Sequence, residues 1–141
     1  MPTLVITVGI QGSGKSYFVD NTFKDIPGYL LTGNDRDGFN ETRNKVHEAL
    51  RNLKSIVIDN IHLEAKSRAE LIEKFKDTHE IECHYFFSNN EISWQRVKER
   101  KNNKISKAMI LNSLNSLEPP HKGEGYTKLY FHDEFFNVHE I

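Results

Sequence analysis

The chain has 141 residues, a net charge of −1, and 37% hydrophobic and 11% aromatic residues. That length suits one compact domain over residues 1–141 with a real core. The near-neutral balance excludes a global field that would draw the whole surface to nucleic acid. The single cysteine, Cys83, excludes an internal disulfide and suits a reducing compartment. No charged-then-apolar leader opens the sequence and no apolar run approaches a membrane span, so a cytoplasmic protein is expected.

Strand and helix patterns alternate along the chain. Residues 4–8 form a β-branched apolar run stopped by Gly9, which predicts a buried parallel strand. Residues 15–23 read as a helix ended before Pro27-Gly28, and residues 29–32 as a short second strand. Asn40 can cap a helix to about Leu53, with Val46, Leu50 and Leu53 on one face. SIVID, residues 55–59, predicts another buried strand that ends on an acid. Residues 64–76 carry the stripe Ala65, Ala69, Ile72 and Phe75 of an amphipathic helix, and residues 81–87 read as a strand. Ser88-Asn89-Asn90 can cap a helix from Glu91 to about Arg100. Ser106 opens a last helix to about Leu117, stopped by Pro119-Pro120. KLYFHDEFFNV predicts one strand, or two joined at residues 132–134. The alternation implies parallel β-α units with helices on both faces of the sheet.

The first strand runs into GIQGSGKS, residues 9–16, which fits G-x-x-x-x-G-K-[ST] in the strand-to-helix context this phosphate-binding motif requires. Gly9 opens it. Gly12 and Gly14 permit turns closed to other residues and leave room for a phosphate, while Gln11 and Ser13 are expected to contribute backbone N–H groups. Lys15 is expected to reach the β- and γ-phosphates, and the Ser16 hydroxyl to ligate Mg²⁺. Tyr17 follows on the helix beside the nucleotide. Asp59 stands where an acid can hold a Mg²⁺-bound water, meet the acceptor or cap the next helix.

Among phosphate-loop proteins, no guanine-reading N-K-x-D, no transporter signature loop and no ring-ATPase length is present, which leaves a small kinase. Its lid is expected over residues 94–108, where Arg96, Lys98, Arg100, Lys101, Lys104 and Lys107 face one acid, Glu99. Such a kinase needs a cation against the charge developing on the γ-phosphoryl oxygens. Arg96 and Arg100 share a helix face at i, i+4 spacing, with Lys104 a further turn on. The acceptor hydroxyl needs an acid to take its proton. Asp35 and Asp37, in TGNDRDGFN after the second strand, are both available at the sheet edge that carries the phosphate loop. His62, in the loop after the third strand, is expected to be a surface histidine. Cys83 and His84 should face opposite sides of their strand. Trp94 and the aromatics of the last strands are expected in the core rather than stacked on bases.

TVGIQGSGKSYF, PGYLLTGNDRDGF, SIVIDNIHLEAKSR, RKNNKISKA and EPPHKGEGY, in that order, resemble the kinase domain of phage polynucleotide 5′-hydroxyl kinases, within the small P-loop kinases. The resemblance runs over nearly the whole chain. It implies a three-layer α/β P-loop kinase fold, with a parallel sheet flanked by helices and a basic helical lid. It also implies ATP and Mg²⁺ as cofactors, 5′-hydroxyl ends of DNA or RNA as acceptors, and a phage-encoded enzyme in the host cytoplasm. Of the lid cations, the resemblance selects Arg100 and Lys104. In that family the acid after the second strand is the base. The pattern Asn-Arg-Asp fits Arg36-Asp37 with one residue inserted, which selects Asp37; an ungapped reading from Pro27-Gly28 selects Asp35. Where family members can carry an arginine for the acceptor's 3′-phosphate this chain has Asn40, and Arg43, one turn on, is the substitute. Asp59-Asn60 resembles the stretch that lines the acceptor channel. EGY, residues 124–126, resembles the family's ending near the adenine side. The family's 3′-phosphatase domain does not fit in a chain of this length. The alternatives are a kinase of a nucleoside, nucleotide or other small hydroxyl compound, and a nucleotide-binding module without transfer.

Overall fold

The computed structural model describes residues 1–99 and 105–141, and at Asn34 the backbone alone. Its elements are β1 (Thr3–Val8), α1 (Lys15–Thr22), β2 (Tyr29–Thr32), α2 (Asn34–Asn52), β3 (Ser55–Ile58), α3 (Ala65–Phe75), β4 (Glu80–Phe86), α4 (Asn90–Lys98), α5 (Lys107–Ser116), a 3₁₀ turn (Lys122–Glu124), β5 (Lys128–His132) and β6 (Val138–Glu140). One six-stranded sheet has the order β2-β3-β1-β4-β5-β6. The first five strands are mutually parallel and β6 runs antiparallel beside β5. β1 thus lies between β3 and β4, where the strand order reverses. In such a sheet the crevice beyond the carboxyl end of that strand is the place for a ligand.

The strands carry apolar residues on both faces because helices cover both. Leu4, Ile6 and Val8 of β1, with Ile56, Ile58, Ile81, Cys83 and Leu129, bury against Ala49 of α2 and Ile72 and Phe75 of α3. Val5 and Val57 face the other way, onto Val19 of α1 and Phe23 just beyond it. A third cluster lies at the carboxyl edge of the sheet: Ile10 from the phosphate loop packs with Val97 of α4 and Ile110 of α5, joined by Leu63, Trp94, Ile105 and Leu114. This cluster seats α4 and α5 beside the loop. Cys83 and His84 do face opposite sides, since Cys83 is in the α2–α3 core and His84 packs on Phe18 of α1. No helix among the described residues is long and apolar enough to cross a membrane.

Two boundaries differ from the sequence reading. α2 begins at Asn34, not at an Asn40 cap: Asn34 to Asp37 make a first turn in which the Arg36 and Asp37 amides bond the Gly33 carbonyl, and Gly38, at φ 79°, breaks the helix before it resumes. Only glycine passes through that conformation without strain. Leu53 is not on the apolar stripe. It ends α2 in the left-handed region at φ 51° and is 56% exposed, while Val46 and Leu50 do pack on the core. The aromatic tail is two strands, and the connecting turn is organised by Asp133, whose Oδ1 accepts the amides of Phe135 and Asn137. Phe135 and Phe136 at its tip are exposed, contrary to the core assignment, whereas Trp94 is partly buried in the third cluster.

Candidate active site

The phosphate loop leaves β1 at Gly9 and enters α1 at Lys15. Gly12 has φ 75° and Gly14 φ 103°, so both need glycine. A side chain on Gly12 would also run into the backbone of Ser93 in α4. Lys15 is buried, its Nζ donating to the Ile10 carbonyl at 2.9 Å. The Ser16 hydroxyl donates to Asp59 Oδ2 at 2.9 Å. Asp59 follows β3 directly, and the Thr7 hydroxyl lies 3.5 Å from its Oδ1. Two hard oxygens, from Ser16 and Asp59, therefore converge beside the first turn of α1. That donor set fits Mg²⁺, which prefers one or two protein oxygens plus phosphates and water.

These groups line a cavity of about 510 Å³. Its floor is the loop from Gln11 to Ser16. The wall beside it is Asp35 from α2 together with Asp59, Asn60, Ile61, His62, Leu63, Glu64 and Ser67, and Ile105 and Met109 border it from the α5 side. Gly33 makes the wall possible: a Cβ there would collide with the Asp59 carbonyl. The absence of a side chain lets the β2–α2 connection lie against β3 and carries Asp35 to the cavity. Lys15 is the one cation among the described lining residues, against the acids Asp35, Asp59 and Glu64.

The two candidate bases part company. Asp35 lines the cavity. Asp37 is not among its lining residues and instead accepts from Lys45 Nζ at 2.9 Å, a bond that holds its carboxyl below the usual carboxylate range. Of the two residues that the gapped and ungapped matches select, the structure therefore places Asp35, and not Asp37, on the cavity. Between them, Arg36 reaches back across the site. Its guanidinium meets Asp59 Oδ2 at 2.8 Å and Asp20 of α1 at 2.9 Å, tying the start of α2 to β3 and α1. Asn40 and Arg43 are exposed on α2 and line neither of the two described cavities.

Of the lid cations, Arg96 is already engaged. It donates to the Gly12 carbonyl and to the Glu134 carbonyl, each at 3.1 Å, and its guanidinium lies 4.8 Å from the Phe136 ring centre. It braces the phosphate loop between α4 and the β5–β6 turn. Lys98 lies over Trp94, and Lys107 is 3.7 Å from Glu91. Arg100, Lys101 and Lys104 lie outside the described residues. Tyr17 borders a second, smaller cavity of about 150 Å³, which runs from Ser13 and Gly14 past Phe18, Asn21 and Phe86 to His132 and Phe136.

His62 is not a surface residue. It is 9% exposed, lines the main cavity and adopts φ 44°. Its Nδ1 is 2.9 Å from the Thr7 carbonyl, which can only accept, so the proton is on Nδ1. Burial, helped by Lys15 and Arg68, pushes its imidazole down to about 4. EGY is also re-placed. Glu124 accepts from Arg68 Nε at 2.9 Å and from the Tyr126 hydroxyl at 2.8 Å, and none of the three residues lines either cavity. Arg68 is fully buried and also donates to the carbonyls of His62, Leu63 and Glu118. It thereby holds the loop of residues 61–64 that lines the cavity. Sequence reasoning missed it, although residues 65, 68, 72 and 75 share one helix face and a cation there needs a buried partner.

Comparison with solved structures gives the same fold. A chain of the Pnkp1/Rnl/Hen1 RNA repair complex matches with a TM-score of 0.69 at 19% identity, over 82% of this chain and 44% of that one. A fungal RNA kinase matches at 0.70 and 13% identity, over 93% of this chain and 38% of that one. A gluconokinase from Sinorhizobium meliloti 1021 matches at 0.62 and 19% identity, over 94% of this chain and 82% of that one. The chain thus spans less than half the length of the two RNA-processing chains it resembles, and these likenesses establish the fold of P-loop kinases. A family model described as an AAA domain, AAA_33, matches residues 4–120, and the chain belongs to that P-loop kinase family.

Proposed function

We propose that the chain is an ATP-dependent polynucleotide kinase that transfers the γ-phosphoryl group to the 5′-hydroxyl end of a nucleic acid. The observation that carries this reading is that a complete phosphate loop and an acid in no ion pair among the described residues, Asp35, line one cavity. The fungal RNA kinase and the RNA repair complex among the structural neighbours support the acceptor class.

In this reading the loop amides and Lys15 hold the β- and γ-phosphates, and the helix end adds its partial positive charge. Ser16 and Asp59 hold Mg²⁺, which when bound neutralises charge on the transferring group. Asp35 orients the attacking hydroxyl and takes its proton. Arg36 holds Asp35's helical turn against Asp59, so that base and phosphate loop keep their separation. Arg100 and Lys104 supply the lid's cationic charge. Tyr17 and the smaller cavity beside it take the nucleoside end of the donor. Asn60 contacts the acceptor.

A second reading is a kinase of a neutral polyhydroxyl compound. It is favoured by the acid-rich acceptor wall, which offers no cation other than Lys15 among the described residues. An acceptor panel decides between them. With γ-labelled ATP, kcat/KM is compared for a 5′-hydroxyl oligonucleotide, nucleosides, nucleotides and neutral sugars. Oligonucleotide kcat/KM exceeding all others supports the proposal, and label entering only small acceptors refutes it.

A further inference from the structure

His62 is a buried side chain that phosphate binding and proton abstraction leave unused. One edge of its ring is fixed, because Nδ1–H donates to the carbonyl of Thr7. Fixing that edge fixes the tautomer, so Nε2 carries a lone pair and no proton. His62 lines the cavity, and of its two ring nitrogens Nε2 is the one not held against β1. That nitrogen has no partner among the described residues. Two features keep the arrangement rigid. The backbone at His62 is held at φ 44°, and its carbonyl accepts from the fully buried Arg68.

A neutral imidazole lone pair on a cavity wall is selective. It repels a phosphate oxygen and accepts from a neutral O–H or N–H group. An acceptor strand is linked onward through its 3′-oxygen. Its terminal sugar then has one hydroxyl besides the reacting one, the 2′-hydroxyl of ribose. Deoxyribose has none, and donors on the base change with sequence. The 2′-hydroxyl is the group by which a protein distinguishes RNA from DNA at a given site.

We infer that His62 is a specificity-determining residue, whose Nε2 accepts a hydrogen bond from the 2′-hydroxyl of the terminal ribose and directs the enzyme to RNA ends. This rests on the polynucleotide reading above and names the acceptor within it.

The test uses one sequence in three forms, with 2′-hydroxyl, 2′-deoxy or 2′-O-methyl at the 5′-terminal nucleotide alone, and reads kcat/KM with γ-labelled ATP. The wild-type protein should prefer the 2′-hydroxyl form over both others by about tenfold, the size of one hydrogen bond to an otherwise unsatisfied acceptor. In His62→Asn the side-chain nitrogen can still donate to Thr7 while nothing remains at the place of Nε2. That variant should lower the ratio to about one, with thermal stability and ATP binding kept. His62→Gln carries an amide oxygen toward the place of Nε2 and should retain part of the preference. Equal use of the three forms by the wild-type protein overturns the inference and leaves the polynucleotide reading standing. A ratio unchanged in folded His62→Asn overturns it also, and with weakened Mg²⁺–ATP binding it assigns the lone pair to the donor side. No label in any of the three strands overturns the polynucleotide reading, and this inference with it.

Discussion

Exchanging one oxygen for nitrogen at Asp35 and at Asp37 should have opposite consequences, although the two residues are one helical turn apart or less. Asp37 is committed to Lys45 at 2.9 Å, with side chains 18% and 28% exposed. A pair so placed contributes about 0.5–1 kcal/mol. Asp37→Asn should therefore lower the melting temperature by about 2–4 °C in a domain of this size, and kcat by no more than about twofold, because the side chain does not border the cavity. Asp35 has the reverse profile. It is exposed, lines the cavity and is in no ion pair among the described residues, so Asp35→Asn should leave the melting curve unchanged. Loss of a general base lowers kcat by about 10²–10⁴-fold, and the KM for ATP should stay within a factor of about two. Thermal unfolding and steady-state transfer to a 5′-hydroxyl strand, measured on the same two preparations, check both halves. An active Asp35→Asn beside a folded but inactive Asp37→Asn would refute the reasoning and restore the gapped alignment.

Arg68→Met should cost about 3–5 kcal/mol in urea unfolding, because it strands Glu124 without its partner in the interior; Arg68→Met with Glu124→Gln should recover part of that, and a single-variant loss below 1 kcal/mol would show that the network is dispensable. Arg96→Ala should raise the KM for ATP more than it lowers stability, since Arg96 clamps Gly12 to the β5–β6 turn; an unchanged KM would contradict the clamp. Acid should destabilise the fold well above the carboxylate range. Burial holds His62 at about 4 and, helped by His84, His132 at about 3, both below the ordinary 6.5. The unfolded chain then binds more protons than the folded one between these values, so stability present above pH 6.5 is lost as the pH falls, by about 1.5 kcal/mol per histidine between pH 6.5 and 5. Urea midpoints that stay flat from pH 7 to 5 would exclude two neutral buried imidazoles.

Much of this was legible in the chain because the signals are local. Apolar runs that end on Gly9 and on Asp59 mark the two central strands, and the loop motif places itself between a strand and a helix. The convergence of Ser16 and Asp59 follows once β1 and β3 are neighbours. What was not legible depends on contacts distant in sequence. His62 is a polar residue in a loop, with no periodicity to betray its burial; flanking Ile61 and Leu63 were the only hint. Arg36 finds Asp59 and Asp20 across the sheet edge, which no spacing within DRDG encodes. The different settings of Asp35 and Asp37 depend on Gly33, whose missing side chain admits the Asp59 carbonyl, and on Lys45, which pairs with Asp37 from eight residues further along α2. Its resemblance to the family's ending puts EGY near the adenine side, yet Glu124 is the counter-charge to a buried arginine on α3.

The central claim is that the group held by the loop at Gly9 passes to the 5′ end of a strand. It is tested most directly by locating the label after a single turnover with γ-labelled ATP, Mg²⁺ and a 5′-hydroxyl oligonucleotide, beside the same strand already 5′-phosphorylated. The account predicts label only in the 5′-hydroxyl strand, recovered after nuclease digestion in its terminal nucleotide and lost in Lys15→Ala. Label released entirely as inorganic phosphate, or found in both strands alike, would contradict it.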